Sequence, residues 1–114
     1  MLTIEALKEW GANTDEGVAR CVNSVDFYLS LVGRVVDDKG FEELKTALEA
    51  NDLDAAFQAA HGLKGILGNL SLTPVYDKVV EITELLRSRT EMDYSEMLAS
   101  ILEDQQKLKD MMNN

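Results

Sequence analysis

The stretch LDAAFQAAHGLKGILGNL, residues Leu53 to Leu70, decides the fold. Leu53, Ala56, Ala60, Leu63, Leu67 and Leu70 recur in steps of three and four, which lines them up along one face of an α-helix. The same stretch holds three glycines, Gly62, Gly65 and Gly68, and the single histidine of the chain, His61. Glycine inside a helix costs roughly 1 kcal/mol relative to alanine. At about 100° per residue, His61 lies well off the leucine seam, on a line with Asp54 and Gly68. Gln58 and Gly65 flank it, and Lys64 stands one turn on, at the border between seam and surface. His61 is therefore expected to face solvent on a surface from which side chains have been removed.

Outward from this helix the period continues. Val75, Val79, Ile82 and Leu86 form a second seam, and Leu98, Ile101 and Leu108 a third that Gln105 interrupts. Upstream, Val25, Leu29, Val32 and Val36 make one stripe and Phe41, Leu44 and Leu48 another, about one residue out of phase. The slip at Lys39-Gly40 predicts a bend or break there. Ser24 and Asn51 or Asp52 are placed to cap helices. Thr73 reads as an N-cap followed by Pro74 in the first turn, and Asp93 with Glu96 has the spacing of a capping box. These signals predict helices near residues 25–49, 53–70, 74–90 and 94–111, with one or two short helices in the first 23.

Amphipathic helices joined by short loops pack as antiparallel neighbours. The expected fold class is all-α, an antiparallel up-down-up-down four-helix bundle over residues 24–112. The N-terminal helices of residues 1–23, carrying Ile4, Leu7, Trp10 and Val18, would cover one end. Residues 1–114 then form a single domain, a size that supports one modest core.

Charge narrows the partners. The chain has 21 acidic and 11 basic residues, a formal net charge of −10. Phosphate backbones and anionic lipid repel such a molecule, which argues against nucleic acid and membrane surfaces. The lone Cys21 allows no intrachain disulfide and reads as a small buried hydrophobe. No apolar run reaches membrane-spanning length, and MLTIEALKEW lacks the basic and apolar regions of a signal peptide. A cytoplasmic protein starting at Met1 is expected, and a monomer, because no exposed apolar seam is left over.

Several chemistries fail at His61. The positions one turn away are Phe57, Gln58, Lys64 and Gly65, none a useful metal ligand beside an imidazole, so no metal site is expected. A di-iron bundle would want Glu where Gln58 stands, and a second such motif. Nucleophilic catalysis by Ser or Cys needs a concave pocket, whereas His61 is expected on a convex face. Phosphate-cradling glycines precede a helix rather than lie within its exposed side. What remains is a histidine that itself reacts. Imidazole titrates in the physiological range, and its neutral form is a nucleophile toward phosphorus. Lys64 on the same side would offer an ammonium to phosphate oxygens. In-line geometry and charge neutralisation could come largely from a partner docking on the glycine face.

With those residues in view, AHGLKGILGNL resembles the signature of histidine-containing phosphotransfer (HPt) domains, close to AH-x-LKG-x-x-G. The match covers Ala60, His61, Leu63, Lys64, Gly65 and Gly68, and the likeness in helix layout extends over roughly residues 14 to 110. The resemblance implies that His61 accepts a phosphoryl group through Nε2 from a phospho-aspartate of a response-regulator receiver domain and passes it to another. It implies that Lys64 stabilises the phosphate, that Gly65 and Gly68 clear the docking surface, and that Gln58 hydrogen-bonds near the ring. Partners would be receiver domains and a hybrid sensor histidine kinase. No cofactor is expected in this chain, Mg2+ belonging to the receiver, and no enzymatic activity of its own. The alternative is an adaptor that binds receivers or a kinase without carrying phosphate. Three departures stand out. Ser71 replaces a third glycine, Ile66 and Leu67 are bulkier than usual, and Thr83 with Glu84 falls where an acidic or amide residue often orients the imidazole.

Overall fold

The computed structural model describes all 114 residues, Met1 to Asn114. Seven α-helices account for the regular structure: α1 (Ile4–Trp10), α2 (Thr14–Arg20), α3 (Val25–Val36), α4 (Lys39–Glu49), α5 (Leu53–Asn69), α6 (Thr73–Arg87) and α7 (Ser95–Met112). No helix is long and apolar enough to cross a membrane. Helix α4 packs along α5, α5 along α6, and α6 along α7, while α3 closes the bundle against α7. Turns at three corners make α4, α5, α6 and α7 successive antiparallel neighbours, whereas α3 and α4 do not pack on each other.

The core contains most of the seams foreseen from the sequence, with Leu53 and Leu98 only half-buried and Tyr28, Leu72 and Tyr94 added to it. Ala56, Ala60, Leu63 and Leu67 of α5 are buried, as are Val75, Val79, Ile82 and Leu86 of α6 and Ile101 and Leu108 of α7. Gln105, which interrupts the last seam, is half-buried and donates its amide to the Val36 carbonyl at 2.8 Å. It thus satisfies an orphan carbonyl in the last turn of α3. On α3 the stripe starts later than its pattern suggests. Val25 is 45% exposed, and Tyr28 is fully buried.

The long helix expected over residues 25–49 is two helices. The break falls at Asp37 and Asp38, just ahead of the predicted slip at Lys39-Gly40. Asp38 adopts an extended conformation and its carboxylate accepts the Gly40 N–H at 2.8 Å, capping α4. Gly40 is buried, and a Cβ there would come within 2.8 Å of Leu63, so α4 approaches α5 through it.

Capping follows the expectation at Ser24 and Asp52, whose side chains accept from Phe27 N–H at 3.2 Å and Ala55 N–H at 3.1 Å. It departs at two places. Thr73 is the first residue of α6 rather than its N-cap, which is Leu72, and its hydroxyl donates to the Ser71 carbonyl at 3.3 Å. Asp93 accepts the Ser95 N–H at 2.9 Å in a turn before α7, with no reciprocal bond from Glu96. The C-termini explain the shift. Helices α4, α5 and α6 each end in a left-handed residue, Asn51, Ser71 and Arg89, none of them glycine. Each forms the paired bonds of a Schellman motif, as in Ser71 N–H to Gly68 O and Leu72 N–H to Leu67 O, both 3.1 Å. That turn redirects the chain early enough for α6 to start at Thr73.

The first two helices lie over the end of the bundle where α5 turns into α6. Leu7 is fully buried, and Ile4, Trp10 and Val18 are half-buried against the core. Asn13 N–H donates to Ser71 O at 3.0 Å, and the buried Tyr28 hydroxyl donates to Leu70 O at 2.9 Å. Gly17 on α2 is required by this packing, since a Cβ would meet Tyr28 at 2.4 Å and the Leu70 carbonyl at 2.9 Å.

Candidate functional site

The leucine seam orients α5 so that its opposite side faces out. His61, Gly62, Gly65 and Gln58 are exposed, and Lys64 and Gly68 are half-buried. His61 sits near the middle of the helix, as the wheel predicts, and makes no hydrogen bond to another residue's side chain. Its one specific neighbour is Phe57, one turn earlier, whose ring stacks on the imidazole with centroids 5.7 Å apart and planes 26° apart. Lys64, three residues on, has no ion-pair partner in the protein.

The glycines fall into two classes. A Cβ at Gly62 or Gly65 would meet nothing within 4 Å, so no contact inside the protein requires either glycine. Gly68 differs. A Cβ there would come 2.8 Å from the Tyr76 ring, so Gly68 admits that side chain of α6 in addition to lying on the outward line of His61. The Gly68 carbonyl also accepts from Arg20 Nη1 at 2.6 Å, which ties α2 to the last turn of α5. Ile66 is half-buried and Leu67 fully buried, so both bulky departures from the motif are absorbed by packing.

Beside the imidazole, on the side of Lys64, an open cleft of about 640 Å³ runs between α2, the end of α5 and the start of α6. Arg20, Lys64, Gly65, Gly68, Tyr76 and Asp77 line it. On the other side, the C-terminal end of α6 brings Arg87 and Arg89 over the Phe57 ring, their guanidinium carbons 5.1 and 5.0 Å from its centroid. Arg20 and Lys64 thus border the glycines, while Arg87 and Arg89 stand over Phe57, and all three arginines are paired with carboxylates, Glu16, Glu84 and Asp54. Sequence patterning did not single out Arg20, Phe57, Arg87 or Arg89. The signal for Phe57 was its i−4 spacing from His61; the three arginines lie on other helices and carried none.

The expected partner of the ring, Gln58, is elsewhere, and Thr83 and Glu84, the departure from the family pattern, do not take its place. Gln58 makes no bond to His61 and lines a shallow depression shared with Glu42, Glu43 and Thr46 of α4. Thr83 is fully buried and donates its hydroxyl to Val79 O at 2.6 Å, while Glu84 pairs with Arg87 at 3.3 Å. Neither holds the imidazole, because α6 turns Thr83 toward the core and Glu84 toward solvent. No group of three or more His, Cys, Asp or Glu side chains is arranged to hold a metal ion. Cys21 is buried.

Comparison with curated proteins and with solved structures returned no significant match. A family model described as "Hpt domain" matches residues 38–114, from the N-cap of α4 through the end of α7. That span contains the three antiparallel corners of the bundle and the whole face around His61. With an all-helical bundle and the motif helix in its expected orientation, the chain belongs to the Hpt domain family, the phosphotransfer domains of two-component signalling.

Proposed function

We propose that this protein is a phosphorelay carrier in which His61 is the phosphoacceptor. It takes a phosphoryl group from the phospho-aspartate of a receiver domain and gives it to the aspartate of another. In the step, neutral Nε2 attacks phosphorus in line with the bond to the aspartyl oxygen. The N–P bond forms as the P–O bond breaks, the carboxylate leaves with the electron pair, and Nδ1 keeps its proton. Reversal of the same step loads the next receiver.

The observation that carries this proposal is His61 itself, exposed beside Lys64 and beside two glycines that nothing in the chain requires. Lys64 places an ammonium one turn from the developing phosphoramidate, where a charge-assisted hydrogen bond is strongest. Gly65 and Gly68 let the backbone of α5 come close to a docking active site, and the cleft beside them receives the partner's surface. The chain itself needs no cofactor for this transfer; Mg2+ belongs with the receiver's acidic site. Receiver domains and a kinase that bears one are the proposed partners, with the protein acting as a monomer and without a catalytic activity of its own.

The test is direct. Incubation with a phosphorylated receiver domain should place an acid-labile, alkali-stable phosphate on the wild-type protein and none on His61→Gln. Transfer to His61→Gln at the wild-type level, or no transfer to the wild type from several receivers, would overturn the assignment. Retained receiver binding without transfer would mark an adaptor instead.

A further inference from the structure

We propose that Phe57 is a positioning residue for His61, and that Arg87 and Arg89 hold it in place. This rests on His61 being the phosphoacceptor, and it concerns what fixes the ring that reacts. An exposed histidine near the middle of a helix, with glycines at Gly62, Gly65 and Gly68, has few side chains to restrict its rotamer. Thr83 and Glu84, which depart from the family pattern at the position that often orients the imidazole, are engaged elsewhere. The imidazole nevertheless has one packed neighbour, the Phe57 ring at 5.7 Å and 26°.

Phe57 is itself over-determined. Two guanidiniums lie over its ring at 5.1 and 5.0 Å. Each is anchored by other bonds. Arg87 pairs with Glu84, while Arg89 pairs with Asp54 and donates from Nη1 to Leu86 O at 2.7 Å. Arg89 occupies the left-handed position that ends α6, at φ 52°, where glycine would be the unstrained choice. Its side chain is what that position supplies: it caps the last turn of α6 and reaches back across to α5. The chain Asp54–Arg89–Phe57–His61 therefore links the end of α6 to the reacting ring. Stacking leaves the edge of the imidazole free, so Nε2 stays available while the ring plane is restrained.

The single histidine makes the test clean, because every imidazole signal in the NMR spectrum of this protein belongs to His61. In unphosphorylated wild type, the three-bond Hα–Hβ coupling constants of His61 should report one dominant rotamer and its ring protons should be shielded by Phe57. Phe57→Leu should average the couplings and move the ring protons downfield, and Phe57→Tyr should keep both signatures. With a phosphorylated receiver in excess, Phe57→Leu should transfer about tenfold more slowly at saturation, with half-saturation changed less than about twofold, and Phe57→Tyr should restore the rate. Should Phe57→Leu fail to fold, the Arg87→Met, Arg89→Met double variant makes the same test, since both side chains are more than two-fifths exposed (49% and 41%). Wild-type couplings in the Leu or double variant, a saturated rate within twofold of wild type, or a Tyr variant as slow as Leu would overturn the proposal. If wild type accepts no phosphate, the phosphoacceptor assignment fails, and the couplings still decide whether Phe57 holds the ring.

Discussion

Alanine substitution at the three glycines of α5 separates what the bundle needs from what a partner needs. At Gly62 and Gly65 a methyl group would meet nothing within 4 Å. Each change should therefore yield the helix-propensity gain alone, about 0.5–1 kcal/mol. For a domain of this size that raises Tm by about 2–4 °C. At Gly68 the same gain is opposed by a Cβ only 2.8 Å from the Tyr76 ring, with a second ring atom at 3.3 Å. Tyr76 is half-buried and must swing outward, and overpacking of this kind costs about 1–3 kcal/mol. The net expectation for Gly68→Ala is a loss of about 1 kcal/mol. Urea denaturation followed by circular dichroism resolves the resulting gap of about 2 kcal/mol between the two classes. Gly65→Leu adds the functional arm: stability at or above wild type, with weakened binding to receiver domains. A Gly65→Ala protein less stable than wild type would refute the open face. A Gly68→Ala protein as stable as Gly65→Ala would refute the contact with Tyr76.

Burial, with a smaller contribution from the negative charge of Cys21, raises the Tyr28 phenol to about 12 from its ordinary value of 10.0. A raised phenol stabilises the folded state below pH 10 and loses that contribution as pH climbs toward 12. Unfolding monitored by circular dichroism should show about 2–3 kcal/mol lost across this window, and Tyr28→Phe should flatten the loss while costing about 1 kcal/mol at neutral pH for the bond to Leu70 O. A second prediction concerns the ion pair between α6 and α7. Lys78 Nζ lies 2.7 Å from Asp104 Oδ2, and Asp104 is only 2% exposed. Lys78→Ala removes the nearer of two lysines from a buried carboxylate and should cost about 2–3 kcal/mol in chemical denaturation, whereas Lys107→Ala, which breaks an exposed pair with Glu103 and a 4.0 Å contact with Asp104 Oδ1, should cost less than about 1 kcal/mol.

Helix existence and the orientation of α5 were legible in the chain because both follow from local periodicity. A leucine every three or four residues leaves only one side of a helix to bury, and the position of His61 follows from that. The end points were less legible. Three helices stop on Asn51, Ser71 and Arg89 in left-handed conformations where no glycine signals the stop, so the boundaries at Thr73 and Asp93 slid by a residue and the caps changed partners. The break between α3 and α4 was marked by a phase slip, but its place at Asp38 depended on how closely α4 had to approach Leu63.

The sequence by itself determined that the one histidine of this protein faces outward, since the core seam and His61 lie on one helix at fixed angles. Only the tertiary structure decided what surrounds that residue. Arg20 reaches Gly68 from α2, Arg87 and Arg89 reach Phe57 from the end of α6, and Tyr76 reaches Gly68 across the α5–α6 corner. Their places depend on how helices cross and where each one ends, which are properties of packing between segments distant in sequence. The same packing buries Thr83 and leaves the stack on Phe57 as the imidazole's one packed contact.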